Sequence, residues 1–340
     1  MNKKSIIIAI ILAVSGIFGF NYYQKIFAQS VIKDGVIFIK SNDDIYEVQR
    51  ALTPFIKNID DFSFVAQKKN YNKPKGGKYM LKEGMSNNTI VNLLRGGNQT
   101  PVKVSFNNQD TLEKLAGRIA QQIEPDSISL LKAIKDSSFL AENKFTNTSV
   151  LGMYLPNSYE FYWNTSAENF RNKMFREYNR FWNENRLNKA KKLNLSKKQV
   201  IALASIVQKE TARISERPIV AGLYLNRYKK GWPLQADPTI IYILKQQNGQ
   251  DFVVKRVLNK DLEIKSPYNT YINKGLPPTL IAMPDISSID AVLNPSAHDY
   301  FYMCASVDKI GYHEFAKTLA QHNRNAVKYQ RWVDLQGINR

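Results

Sequence analysis

Ser5 to Gln24 is a run of twenty residues without a charge, and Ser5 to Phe20 is almost wholly Ile, Ala, Leu, Val, Gly and Phe. At about 1.5 Å per helical residue, such a run reaches about 30 Å, the depth of one hydrocarbon core. Tyr22 and Tyr23 follow where an interfacial aromatic belt belongs, Lys25 stands behind them, and Lys3 and Lys4 precede the run. The pattern predicts one uncleaved anchor, residues 1–30, with its amino terminus in the cytoplasm and the rest of the chain exported. A cleaved leader is the competing expectation, but cleavage after Ala28 would place Ile26 at the −3 position, where a small residue belongs. A buried core helix is a weaker one. No later stretch is long and apolar enough to span a second time.

The remaining body reads as ordinary globular protein, because the 340-residue chain is 44% hydrophobic and 23% charged. That excludes wholesale disorder and a polytopic membrane protein, and the length suggests about two folded units. Forty-eight Lys and Arg against 29 Asp and Glu leave a net charge of +19. Such an excess attracts polyanions: nucleic acid, an anionic lipid surface or an acidic polymer. Export argues against nucleic acid. Cys304 is the one cysteine, so no intrachain disulfide can form.

Val36 to Ile39, Lys78 to Leu81 and Val102 to Phe106 read as strands. Between them Ile45, Val48, Leu52 and Ile56 have helical spacing, Asp60 to Gln67 suits a short helix, and Ser86 or Asn87 can cap a helix ended by Gly96-Gly97. Residues near 35–106 therefore form a small α+β unit. Leu112, Leu115, Ile119 and Ile123 mark a further helix, as do Leu130, Leu131 and Ile134, and residues 138–165 read as loop. Phe170 to Lys198 predicts a long basic helix, with ten Lys or Arg against Glu177 and Glu184 and an aromatic stripe of Phe170, Met174, Tyr178 and Trp182.

Ser196 and Gln199 fit a capping box that opens a helix running to Thr211. With Leu203 at the centre of its apolar stripe, Glu210 falls only about 20° away, between the directions of Val207 and Ile206. A carboxylate there must be paired or protonated. Burial raises a carboxyl pKa, and a raised pKa is what a general acid needs at neutral pH. Two readings stay open: a catalytic Glu210, or a Glu210 paired with Arg213, Arg217 or Arg227. Downstream, Ser215 is expected to cap a helix to about Lys230, and the Asp237-Pro238-Thr239 turn to cap another. Ser266 to Tyr271 and Gly275 to Pro278 read as rigid loops that present polar and aromatic side chains, as a wall for a long sugar chain would. His298, His313 and His322 lack metal-ligand spacing; His313 and His322 are expected to make structural hydrogen bonds near the groove, and Cys304 to be a buried strand residue.

Several blocks in register resemble one family. They are Ala204 to Thr211, Ser215-Glu216-Arg217, Ala221 to Arg227, Leu234 to Tyr242, Ser266 to Tyr271, Gly275 to Pro278, and a tail of Gly311 to Phe315 with His322-Asn323. In these the chain is similar to endolytic murein transglycosylases of the YceG-like (MltG) family. The resemblance implies an α+β fold with a single transmembrane helix, a LysM-like subdomain over 31–106 and a mixed α/β catalytic domain over 107–340 carrying the catalytic Glu on a helix. It implies a single-pass protein of the bacterial inner membrane, with its catalytic domain in the periplasm or extracytoplasmic space. That protein would cut peptidoglycan glycan strands at the β-1,4 bond between MurNAc and GlcNAc, leaving 1,6-anhydro ends. Glu210 becomes the acid/base. Gln235, Asp237, Thr239, Tyr242, Tyr268, Asn269, Tyr271 and Tyr159 become substrate contacts, with no metal or cofactor. Peptidoglycan synthases and division machinery become candidate partners. The pattern departs at Asn157, where relatives carry an acid, at Thr279, where Gly is usual, and at Gln208, often Glu. A hydrolytic muramidase and a non-catalytic wall-binding anchor are the alternatives.

Overall fold

The computed structural model describes residues 3–336. Two compact units partition them: one holds residues 3–104, 119–126 and 158–166, the other 105–118, 127–157 and 167–336.

In the first unit, helix α1 (Lys3–Phe27) buries none of its residues, and Leu12 and Phe18 are 67% and 72% exposed. It is the one helix among the described residues long and apolar enough to cross a membrane. Its last turns pack on the unit: Tyr22 meets Phe64 edge-on at 5.5 Å and Ile26 joins the core. Strand β1 (Gly35–Ile39) pairs antiparallel with β2 (Gly77–Leu81) in the register Gly35↔Leu81 to Ile39↔Gly77. Between them lie α2 (Ile45–Leu52), α3 (Ile59–Lys68) and, beyond β2, α4 (Asn87–Gly96). Local chemistry fixes each boundary. Asp44 and Glu47 form a capping box on α2, Asn58 accepts from the Asp60 amide at α3, and Ser86 caps α4. Gly97 ends α4 at φ +71°, a backbone that costs a glycine little. Ile37, Ile39, Leu52, Phe62, Tyr79 and Leu94 are among the residues that close the core. Ile56, expected on the α2 face, lies past the helix end, buried beside the bridge it forms with Val31. Strand β3 (Val102–Phe106) completes the sequence-predicted set.

Helices α5 (Leu112–Ala120), α6 (Ser127–Ile134) and α7 (Ser137–Glu142) come next, then β4 (Asn157–Phe161), which pairs with β3. The stretch 138–165, read as loop, thus contains a helix, a 3₁₀ turn at Val150–Met153 and a strand. The expected long basic helix is broken into α8 (Ala167–Phe181), α9 (Glu184–Lys192) and the start of α10 (Lys197–Glu210). Asn183 accepts from the Arg186 amide, Asn194 takes φ +57°, and Ser196 caps α10. Asn and Ser bind backbone more readily than they extend a helix, so they divide the run. Its aromatic stripe is core: Phe170, Met174, Tyr178 and Trp182 are buried.

The rest of the second unit is α11 (Arg217–Lys229), α12 (Asp237–Asn248), α13 (Ile286–Leu293), the antiparallel pair β5 (Tyr302–Ala305) and β6 (His313–Ala316), and α14 (Leu319–Leu335). Val200 to Val207 of α10 are all buried, and α10 packs on α11 and α13. Gly222 allows α11 its close approach, since a Cβ there would fall 2.6 Å from the Ser296 carbonyl. Two expected caps differ. Ser215 sits inside a 3₁₀ turn, with Glu216 at the N-cap position of α11. Ala236 holds that position for α12, and Asp237 lies within its first turn. Cys304 is on strand β5 but half-buried, because a two-stranded sheet leaves it partly open.

Candidate active site

Glu210 is the last residue of α10. The capping box that starts the helix is formed as the sequence spacing predicts: Gln199 N–H donates to Ser196 Oγ at 3.3 Å, and Ser196 N–H donates to Gln199 Oε1 at 2.9 Å. Two further anchor points lock the helix in place. Ser205 Oγ accepts from the Ile281 amide at 3.0 Å, and Gln208 Oε1 accepts from the Asp285 amide at 3.1 Å and the Ser288 hydroxyl at 2.8 Å. Gln208 therefore pins the start of α13.

The Glu210 Oε2 is buried with no hydrogen-bond partner. Burial pushes its pKa up from 4.5 to about 7, against the pull of nearby His313, the Tyr224 hydroxyl and Arg227; Asp237 adds to the rise. No ion pair to Glu210 exists among the described residues. Arg213 lies over the Tyr312 ring and donates to the Ile310 carbonyl, Arg217 reaches Asp285 and Ser287, and Arg227 donates to the Leu234 and Phe301 carbonyls. The paired-guanidinium alternative is thereby replaced by a buried, protonatable acid.

Around it, α11 contributes Tyr224 and Arg227. Burial and the adjacent Glu210 keep the Tyr224 hydroxyl protonated far above neutrality. Glu216, 3% exposed, takes both donors of His313: the backbone N–H at 2.6 Å and ring Nδ1 at 2.9 Å. Asp237, exposed at the start of α12, accepts the Tyr271 hydroxyl. Gln235 is exposed at φ +52°, its amide donating to the Thr270 carbonyl at 2.9 Å. Tyr242 and Tyr268 are half-buried with rings 4.8 Å apart, and Tyr268 bonds Thr279 at 2.7 Å, so the threonine at the departing position has a partner.

Thr239 and Asn269 are placed differently. Both are fully buried. The Thr239 hydroxyl donates to the Ala236 carbonyl and meets Thr270 Oγ1 at 2.9 Å. Asn269 donates to the Leu262 and Ile264 carbonyls and accepts from the Tyr271 amide. They hold the loop in shape and offer no surface. Tyr159 lies on β4 in the first unit. Sequence reasoning did not single out Tyr224, Glu216 or Trp232, which is 43% exposed and packs on Phe301 at 5.0 Å; the structural hydrogen bonds expected of His313 are those it makes to Glu216. The inward spacing of Tyr224 and Arg227 on one helix face was the available signal. No group of three or more His, Cys, Asp or Glu capable of holding a metal occurs among the described residues.

Residues 37–328 match the model of the YceG-like family. The chain is 30% identical over 290 residues to an endolytic murein transglycosylase of Bacillus subtilis, covering 81% of this chain and 78% of the relative. It is 26% identical to one from Streptococcus pneumoniae, covering 94% of this chain and 63% of that longer protein. Its fold is similar to the crystal structure of a YceG-like protein from Listeria monocytogenes, at a TM-score of 0.57 and 28% identity, covering 86% of this chain and 98% of that one. With the family pattern matched across most of its length, the chain belongs to the YceG-like family.

Proposed function

We infer that this protein is a membrane-anchored lytic transglycosylase that cleaves peptidoglycan strands internally. The observation that carries the reading is Glu210, a carboxyl with a buried, unpartnered oxygen and a pKa near 7. Glu210 protonates the glycosidic oxygen between MurNAc and GlcNAc, and that C–O bond breaks at C1. The carboxylate left behind then takes the proton of the C6 hydroxyl as its oxygen closes on C1, giving the 1,6-anhydro end. One carboxyl that gives and takes a proton suffices, whereas hydrolysis needs a second carboxylate to activate water or attack. Gln235, Asp237, Tyr242, Tyr268 and Tyr271 are the glycan contacts on this reading, and Thr239 and Asn269 shape their loop; Tyr159, on β4, is proposed by itself as a contact of the first unit with glycan. The β1-α2-α3-β2 order supports a LysM-like, glycan-holding role for residues 31–106. Helix α1 spans the inner membrane once, with Lys3 and Lys4 on the cytoplasmic side. Synthases and division proteins acting on the same nascent strands are its expected partners.

Asp237, close enough to raise the Glu210 pKa, favours a hydrolytic muramidase as the second reading. Mass analysis of digested sacculi separates the two: anhydro ends for the first, reducing ends for the second. Glu210→Gln should keep the fold and lower anhydro-end formation by about a thousandfold. Full activity in that variant would remove Glu210 from the chemistry.

A further inference from the structure

Where α1 leaves its apolar run, the first unit holds a polar cavity of about 440 Å³. Asn21, Gln24 and Lys25 line it from the helix, and Lys57, Asp61 and Asn87 from the folded unit. By rise alone, Gln24 lies about 30 Å along the helix from Ser5, at the far edge of one hydrocarbon core. With α1 spanning the bilayer, the cavity opens at headgroup depth. Asp61 faces Lys25 at 3.5 Å, which balances one charge with another. The Lys57 ammonium has no partner among the described residues, so the cavity keeps one net positive charge. Asn87 is 3% exposed; its Nδ2 donates to the Lys25 carbonyl at 2.9 Å, while its Oδ1 is buried without a donor.

We propose that this cavity binds the glycerol phosphate headgroup of an anionic membrane lipid, an assignment that rests on reading α1 as the membrane anchor. The single phosphodiester charge meets Lys57, and the glycerol hydroxyls meet the amides of Asn21 and Gln24. A zwitterionic choline headgroup has no hydroxyl to donate and no net charge to offer. The bond between Asn87 and the Lys25 carbonyl, with the Tyr22–Phe64 contact, fixes the anchor to the unit, so an occupied cavity ties both to the bilayer surface.

The full chain is placed in nanodiscs of phosphatidylcholine containing a minor fraction of phosphatidylglycerol, released into mild detergent, and its retained lipids counted by native mass spectrometry. Phosphatidylglycerol should be enriched about fivefold over its share of the bilayer, the effect of one lysine near anionic lipid. Lys57→Glu, an exposed position outside the proposed catalytic site, should abolish the enrichment. Asn87→Ala should reduce it, and Lys57→Glu carries the test if that variant fails to fold. Equal enrichment in wild type and Lys57→Glu, or none in either, overturns the site while leaving the anchor intact. Failure of the chain to enter nanodiscs overturns both. Displacement of the retained lipid by millimolar free glycerol phosphate would overturn the lipid assignment in favour of a soluble ligand.

Discussion

Helices α1 and α10 are both written in aliphatic residues, and they do opposite things with them. Helix α1 presents Ile7, Leu12 and Phe18 outward and buries nothing, while α10 buries eight consecutive residues from Val200 to Val207. Each ends in polar chemistry. Around α10 lies protein interior, and its last residue, Glu210, is held neutral to about pH 7. In α1 the end carries Asn21, Gln24 and Lys25 around an open polar cavity. Apolar composition alone does not tell a helix packed in a protein core from one that buries nothing. The surroundings of its last turn decide whether a charge there is tolerated or suppressed.

One substitution made in both helices tests this most severely. Val207→Asp places a carboxyl in a packed core with no partner and should destabilise the second unit by more than about 4 kcal/mol, read as loss of the cooperative melting transition. Leu12→Asp should leave the Tm of the folded body unchanged and reduce retention in the membrane fraction about a hundredfold, following the insertion cost of an acid at mid-helix. If Leu12→Asp unfolds the body, or Val207→Asp does not, the contrast between the helices is wrong.

Titration sharpens the comparison with a smaller effect. The Glu210 carboxyl titrates near 4.5 when unfolded and about 7 when folded. Between those values the native state binds more protons than the unfolded state, so stability falls as pH rises. The group's contribution is complete below about 4.5 and lost once pH passes about 7, amounting to about 3 kcal/mol. Denaturant melts across this window should show the slope in wild type and lack that component in Glu210→Gln. Bond cleavage needs the protonated acid, so its rate should fall above about pH 7. A rate rising through pH 8 would contradict the assignment.

Sequence revealed mainly those features that neighbours along the chain decide. Ser196 with Gln199, Ser86 and Gly97 cap helices as their spacing suggested, because a cap involves residues within one turn. Glu210 could be placed on the apolar stripe seven residues beyond Leu203 for the same reason. Caps assigned to Ser215 and Asp237 failed because a tighter turn at Ile214–Glu216 and the backbone at Ala236 took over those starts. The surroundings of Glu210 were hidden by distance. His313 is 97 residues from its partner Glu216, and Arg227 reaches the Phe301 carbonyl 74 residues away. The buried roles of Thr239 and Asn269 also needed the fold, since only it shows which hydroxyl and amide the loop backbone has already claimed.

The smallest effect isolates helix stability from site chemistry. Ser196→Ala removes the acceptor for the Gln199 amide and leaves the Gln199 Oε1 bond to the backbone of residue 196 in place. Losing half of a capping box should cost about 1 kcal/mol, a fall of a few degrees in Tm. Glu210 stands fourteen residues on, about 20 Å along the helix, and is held there by Ser205, Gln208 and the buried stripe. Anhydro ends formed per folded molecule should therefore be unchanged. The matching change in α1, Ser15→Ala, removes a hydroxyl from an exposed helix interior and should alter neither Tm nor activity. A loss of turnover in Ser196→Ala without a loss of stability would mean that the start of α10, and not only its end, takes part in positioning the acid.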